Sequence, residues 1–314
     1  MPATASALLT PEVLKEARRR ERRVAWQQTR TAWLFIAPAV LMVSLFLLLP
    51  VVFNVILSFT KWQKFTGLDQ FAGFNNYLRL FRVPYFSEAL GNTAIWVVGA
   101  VVFPLAVGLG LALLLRNIPF QETFKSLFFL PRVLAPTAVG AIWYYVYAPT
   151  GVLNSAVSGI AGTPFDFGWL FDPATITGSV IVTFVWQTVG ITMVLLLLGL
   201  AAIPKDPVEA ARVDGASNFQ IFRHIVWPLL LPTVLVVTIL NVAAGFTTFD
   251  LLWVMASSFP GKRTLSLAVY MYYESFSNGA WAYGSAVAVV LGAMVITVSA
   301  LLAVVQARVS KNIR

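Results

Sequence analysis

Six long, predominantly apolar runs, 33–57, 89–115, 124–147, 175–203, 225–255 and 283–307, alternate with polar stretches along this chain. A helix needs roughly 20 such residues to cross the hydrocarbon layer of a bilayer, so each run predicts a transmembrane helix. Several exceed that minimum, which allows tilt without specifying an angle. The first run is too long for the apolar core of a cleaved signal peptide, and no small-residue cleavage site follows it. The polar stretches carry patterns of their own. Thr10 through Gln28 reads as a short basic helix with Thr10 as cap and Pro11 in the first turn, suited to lie on a membrane surface. Segments 58–88 and 256–282 contain FNNYLRLF and LAVYMYYESF, amphipathic pieces expected as short helices at the mouth of the bundle. The expected organisation is an all-α integral membrane protein: a basic segment over 1–32, a six-helix domain over 33–307 and a tail over 308–314.

Composition agrees with lipid as the solvent. Hydrophobic residues make up 59% of the chain and charged ones 11%, where a soluble domain carries about a quarter. There is no cysteine, which excludes disulfides, thiol catalysis and cysteine-based metal sites. One histidine, His224, is too few for a histidine-built metal centre. The net charge of +9 is not a nucleic-acid signature, because the basic residues cluster at the ends of apolar runs. They orient the bundle instead. Lys15, Arg18, Arg19, Arg20, Arg22, Arg23 and Arg30 precede the first run. With that end inside, inner segments hold fifteen basic residues and outer loops six, so both termini are expected in the cytoplasm. Arg132 falls within the third run and reaches the inner surface by snorkelling.

The loop over 204–224, IPKDPVEAARVDGASNFQIFRH with its preceding isoleucine, is locally explicit. Pro204 ends a membrane helix. Asp206 can cap a new helix, with Pro207 at its first position and Glu209 three residues after the cap. Gly215 supplies a left-handed stop. Ser217 caps a second helix, with Gln220 again three residues on. Ala210 and Ala211 offer a small-residue surface for close approach by another protein, and Glu209, Arg212 and Asp214 surround it with directional groups.

This segment resembles the EAA loop of binding-protein-dependent ABC importer permeases. That pattern is E-A-A, three residues, glycine, nine residues, then I-x-L-P. Glu209, Ala210, Ala211, Gly215, Ile225 and Pro228 fall in register, with Trp227 in place of the leucine. Residues 71–93, 130–154 and 249–276 are similar to the carbohydrate branch of that family, that of maltose and glycerol-phosphate permeases. Where the branch shows T-x-G-G-P, this chain has Ser257-Ser258-Phe259-Pro260-Gly261. The resemblance implies a type I ABC importer permease fold in the inner membrane of a bacterium or archaeon. It implies a second permease completing a heterodimeric pore, two ATP-binding subunits, and an extracytoplasmic solute-binding protein. Glu209, Ala210, Ala211, Asp214 and Gly215 would then couple to an ATPase. The sequence has no G-x-x-x-x-G-K-[ST] loop, so ATP and its Mg would be bound by the partner subunits and this chain would hold no cofactor or metal.

A solute path needs polar or aromatic groups at membrane depth, where they are costly unless they face an interior. The fourth run offers Trp186, Gln187 and Thr188, and the fifth Asn241, Thr247, Thr248 and Asp250. The resemblance implies that these stretches line a sugar site, with Trp186 matching a tryptophan there. Interhelical hydrogen bonding is the alternative use of such residues. An ion-coupled secondary transporter or channel would need titratable groups along the spans, and only Asp250 and Arg132 come near that. An integral-membrane enzyme finds almost no nucleophile, base or metal set.

Overall fold

The structure is a computed structural model describing residues 26, 31–64, 67, 70–116, 118–256, 261 and 264–313. The basic helix expected over 10–28 lies outside these residues except for Trp26, as does the Ser257–Gly261 stretch except for Gly261. The chain divides into two compact units, Met1–Ile56 and Leu57–Arg314. Among its described residues the first is most of α1 (Thr31–Ser58), an apolar helix loosened by one π turn at Ser44–Leu48.

The second unit carries the remaining elements. They are α2 (Asn75–Leu80), α3 (Pro84–Leu115), α4 (Gln121–Val133), α5 (Pro136–Val146), α6 (Val152–Ala161), α7 (Ile176–Ala201) and α8 (Asp206–Val213). After these come α9 (Asn218–Thr247), which includes a π turn at Phe222–Val226, then α10 (Asp250–Met255), α11 (Leu267–Tyr272) and α12 (Trp281–Ile313). Among the described residues β structure amounts to isolated bridge positions, Thr60 paired with Phe71 and Gln63 nearby. Among the described residues five helices, α1, α3, α7, α9 and α12, are long and apolar enough to cross a membrane, and counting the bent pair α4–α5 as one span gives a sixth.

Helix α7 is the axis of the second unit. Two thirds of its apolar window is buried, against about a quarter for α3 and α9. It packs along α3 and α4, while α9 packs on α3, α7 and α12. The interior forms two apolar clusters. One gathers Trp96, Phe184, Leu251, Tyr270 and Tyr283. The other gathers Ala112, Met193, Leu196, Leu200 and Leu230 beneath the 204–224 loop. Burial of such side chains is worth about 1.5–3 kcal/mol each relative to water, though inside lipid the helix–helix share of that comes from packing rather than transfer.

Three expectations need correction. The run 124–147 is not one helix: α4 and α5 meet at 95°. Pro136 drives the residues before it out of helical geometry, and Leu134 and Ala135 are extended, with ψ of 140° and 138°. The run 225–255 is also divided, ending at Thr247 before α10 resumes at Asp250. There the Thr247 and Thr248 hydroxyls donate to the Ala243 and Ala244 carbonyls at 2.9 and 2.6 Å, a local bonding that competes with a regular helix. Finally, α11 is no surface helix. Leu267, Ala268, Val269 and Tyr270 are all buried. Thr93 and Asn92 of α3 hold its start, through Leu267 N–H donating to Thr93 Oγ1 (2.9 Å) and Asn92 Nδ2 donating to the Leu265 carbonyl (3.2 Å).

Candidate functional site

The 204–224 loop is a helix, a glycine turn and a second helix, built from contacts within a few residues. Helix α8 begins at Asp206, one residue earlier than the sequence suggested. Lys205 is the cap residue and gives no side-chain bond, so Asp206 sits inside the first turn with Glu209 rather than capping it. Both carboxylates still favour the positive end of the helix. The C-terminal end is a Schellman closure. Gly215 has φ +80°, its N–H donates to the Arg212 carbonyl (3.1 Å), and the Ala216 N–H donates to the Ala211 carbonyl (2.9 Å). Ser217 then completes a capping box: Gln220 N–H donates to Ser217 Oγ (3.3 Å), and Ser217 N–H donates to Gln220 Oε1 (2.8 Å).

The two alanines face different ways. Ala211 is half-buried and packs with Val208 and Ala216 on the apolar cluster beneath, together with buried Ile203 and Ile221. Ala210 is exposed, as are Glu209, Arg212, Asp214 and Gly215. Two further residues join this face: Val213, 88% exposed, and Phe219, 68% exposed. The sequence reading missed them. The signal was present, since both are apolar residues in a loop whose other apolar positions are needed as anchors.

The polar residues of α7, α9 and the start of α10 divide into two groups. Gln187 is buried and its Nε2 donates to the Leu134 carbonyl at 3.1 Å, across the chain at the α4–α5 break. That carbonyl is one a continuous helix would have paired internally, so Gln187 satisfies the group the break sets free. Gly190, one turn on, lets the α4 backbone come against α7: a Cβ there would collide with the Phe128 carbonyl. Thr188 is buried with its hydroxyl on the Phe184 carbonyl (2.7 Å), and Asn241 Nδ2 points at Thr192 Oγ1 (3.5 Å). By contrast Trp186 is about a third exposed, its ring edge-on to Trp143 at 5.6 Å. Thr247 and Asp250 are exposed and Thr248 half-exposed. The structure brings the buried polar residues into the packing of α7 and leaves Trp186, Thr247, Thr248 and Asp250 accessible.

At the end of α5 Tyr147 is buried, its hydroxyl donating to the Ser179 carbonyl at 3.1 Å. Asn154 was not singled out by the sequence. It is buried, donates to the Pro149 and Phe167 carbonyls, and accepts from the Trp169 indole at 2.7 Å, tying the loop after α5 into one piece.

Membrane-length apolar helices joined by a capped helix–turn–helix loop are the frame of a membrane translocation subunit. Residues 104–314 match the model of the family described as binding-protein-dependent transport system inner membrane component, and the chain belongs to that family. It is 33% identical to a probable ABC transporter permease of Pyrococcus horikoshii, over 84% of this chain and 91% of that one. It is 34% identical to the sulfoquinovosyl glycerol transport system permease of Agrobacterium fabrum, over 86% of this chain and 88% of that one. Its fold is similar to a chain of a bacterial ABC transporter involved in import of the acidic polysaccharide alginate. The TM-score there is 0.77 at 19% identity, covering 90% of this chain and 98% of that one. The protein is thus a multi-pass permease subunit of a binding-protein-dependent ABC importer with sugar-transport relatives.

Proposed function

We propose that this subunit moves a sugar or sugar-like solute inward by alternating access, with ATP hydrolysed on partner subunits docked against the 204–224 loop. In this reading the loop end and both termini are cytoplasmic. A second permease completes a heterodimeric pore, two ATPase subunits bind below it, and an extracytoplasmic binding protein delivers solute. Closure of the ATPases would move α8 as a rigid piece and rock the spans around the solute path. The membrane is the cytoplasmic membrane of a bacterium or archaeon. Trp186, Thr247, Thr248 and Asp250 are the accessible candidates for lining. An aromatic face beside hydroxyl and carboxylate groups suits the mixed surface of a polyol. Gln187, Thr188 and Asn241 would position those groups rather than touch solute.

The observation that supports this most is the loop's exposed face. Ala210, Val213 and Phe219 are apolar yet exposed, ringed by Glu209, Arg212 and Asp214, on a segment whose shape its own caps and turn determine. Gly215 gives a direct test. A Cβ at this position meets nothing within 4 Å, so a substitution acts only through its backbone preference. Gly215→Val disfavours positive φ by about 1–3 kcal/mol, whereas Gly215→Asn tolerates it. In proteoliposomes containing the full transporter, Gly215→Val is expected to abolish transport or uncouple ATP hydrolysis from solute, and Gly215→Asn to retain most activity. A valine variant that transports at the normal rate with ATPase tightly bound overturns the docking reading.

A further inference from the structure

Beside the root of the 204–224 loop lies a half-open cavity of about 340 Å³ that the transport reading does not use. Four elements contribute to it. Arg116 comes from the end of α3, Gln121 and Lys125 from the first turns of α4, Val194 and Leu197 from the last turns of α7, and Lys205 from the turn into α8. No carboxylate lines it among the described residues. Two acids neighbour the cations: Glu122 pairs with Lys125 at 2.7 Å with its side chain 85% exposed, and Asp206, also exposed, follows Lys205 in the chain. Arg116 and Lys205 have no ion-pair partner among the described residues. The lining residues themselves carry three positive charges and no negative one. Its floor is apolar, and at its rim Leu198 is 63% exposed.

Basic residues at the ends of spans are ordinary topology signals, which depend on their number near the membrane. Convergence of three of them on a single cavity is a further feature, because such convergence needs three separate elements to be brought together. The chemistry it offers is a phosphate site. Guanidinium and ammonium groups recognise phosphate oxygens, and the first turn of the 13-residue α4 adds backbone N–H groups of the same sign. An apolar wall beside the cations, opening past Leu198, suits a ligand that carries both a phosphate and an acyl chain. Basic pockets between membrane helices bind anionic lipid headgroups in this way.

We infer that the cavity lined by Arg116, Lys125 and Lys205 binds an anionic phospholipid, headgroup against the cations and an acyl chain along Val194 and Leu198. The lipid would join α3, α4 and the root of α8, so that its presence stiffens the base of the loop. This needs only that the chain spans a membrane, and it stands whether or not the loop docks an ATPase.

The test is native mass spectrometry of the purified transporter complex, delipidated and titrated with phosphatidylglycerol, phosphatidylethanolamine or inorganic phosphate. The intact protein is expected to retain phosphatidylglycerol in preference to phosphatidylethanolamine. R116Q/K205Q is expected to weaken that retention roughly 30-fold, from two lost surface charges. R308Q/K311Q removes the same charge away from the cavity and is expected to retain the lipid. Leu198→Glu keeps every cation and adds a repelling charge at an exposed position; it is expected to lose the lipid even if R116Q/K205Q fails to assemble. Equal retention by the parent, R116Q/K205Q and Leu198→Glu proteins overturns the site, and so does equal loss in R308Q/K311Q. Thermal stabilisation by inorganic phosphate without retained phosphatidylglycerol overturns the lipid and assigns a soluble phosphate.

Discussion

The 204–224 loop and the middle of α7 both place polar residues in a largely apolar chain, and they use them in opposite ways. In the loop every defining bond is local. Ser217 and Gln220 bond each other three residues apart, and the Schellman closure spans five. The result is a shape set by neighbouring residues, anchored through Val208, Ala211 and Ala216, with its outer face exposed. In α7 the threonine hydroxyls of Thr183 and Thr188 bond locally, but the amides make long-range bonds. Gln187 reaches Leu134 across 53 positions, and Asn241 reaches Thr192 across 49. Those side chains are used up inside the protein. Polar residues at membrane depth are therefore poor evidence of a solute path until their partners are known, whereas exposed residues on a locally determined loop are good evidence of a docking face.

The sharpest way to break this contrast lies at Gly190. Gly190→Ala places a Cβ against the Phe128 backbone, which has no side-chain freedom with which to retreat. Overpacking of this kind costs about 3 kcal/mol or more, and the α4–α5 corner should move off α7. Thermal unfolding in detergent should show a clear loss of stability, and an unchanged melting temperature would mean the contact is not tight. Gln187→Leu comes next, leaving the Leu134 carbonyl without its donor at a cost of about 1–2 kcal/mol. If Gln187 braces the break, stability and transport fall together. If it lines the path, transport falls while the melting temperature holds.

On the loop side the expected stability effects are smaller. Ser217→Ala removes one cap and should cost about 1 kcal/mol. Val213→Ser and Phe219→Ser touch only exposed positions and should shift stability within about 0.5 kcal/mol. Their effect should appear in copurification of the ATPase subunits, which is expected to drop sharply. Full retention of those subunits in a Val213→Ser/Phe219→Ser protein would remove the two residues from the docking face. Last, Trp186→Ala removes an exposed ring that meets Trp143 only at its edge. Solute-stimulated ATPase activity is expected to fall more than basal activity, with assembly intact.

How much was legible follows the same division. The spans could be read because lipid demands apolar residues along some 20 consecutive positions, and no distant contact alters that demand. The turn at Gly215 and the box at Ser217 could be read because the groups involved lie within a few residues and carry the needed chemistry themselves. Asp206 was misplaced by one position, which is the uncertainty of a helix end whose cap makes no side-chain bond. The break in the third span was half-legible: Pro131 and Pro136 were there to see, but proline can sit in a membrane helix when neighbours satisfy the freed backbone. Whether a neighbour does so is a fact about Gln187 on another helix.

The sequence by itself determined the rough limits of most apolar runs, the turn at Gly215 and the cap at Ser217, and the absence of a nucleotide-binding loop from the sequence. Each of these depends on residues close together in the chain. Only the tertiary structure decided that α4 and α5 turn through 95°, that Gln187 braces the turn, that α11 is buried, and that Arg116, Lys125 and Lys205 share a cavity. The physical reason is that these outcomes are set by which backbones can approach. That depends on a missing Cβ at Gly190 and a free carbonyl at Leu134, groups with no periodic signature in the chain.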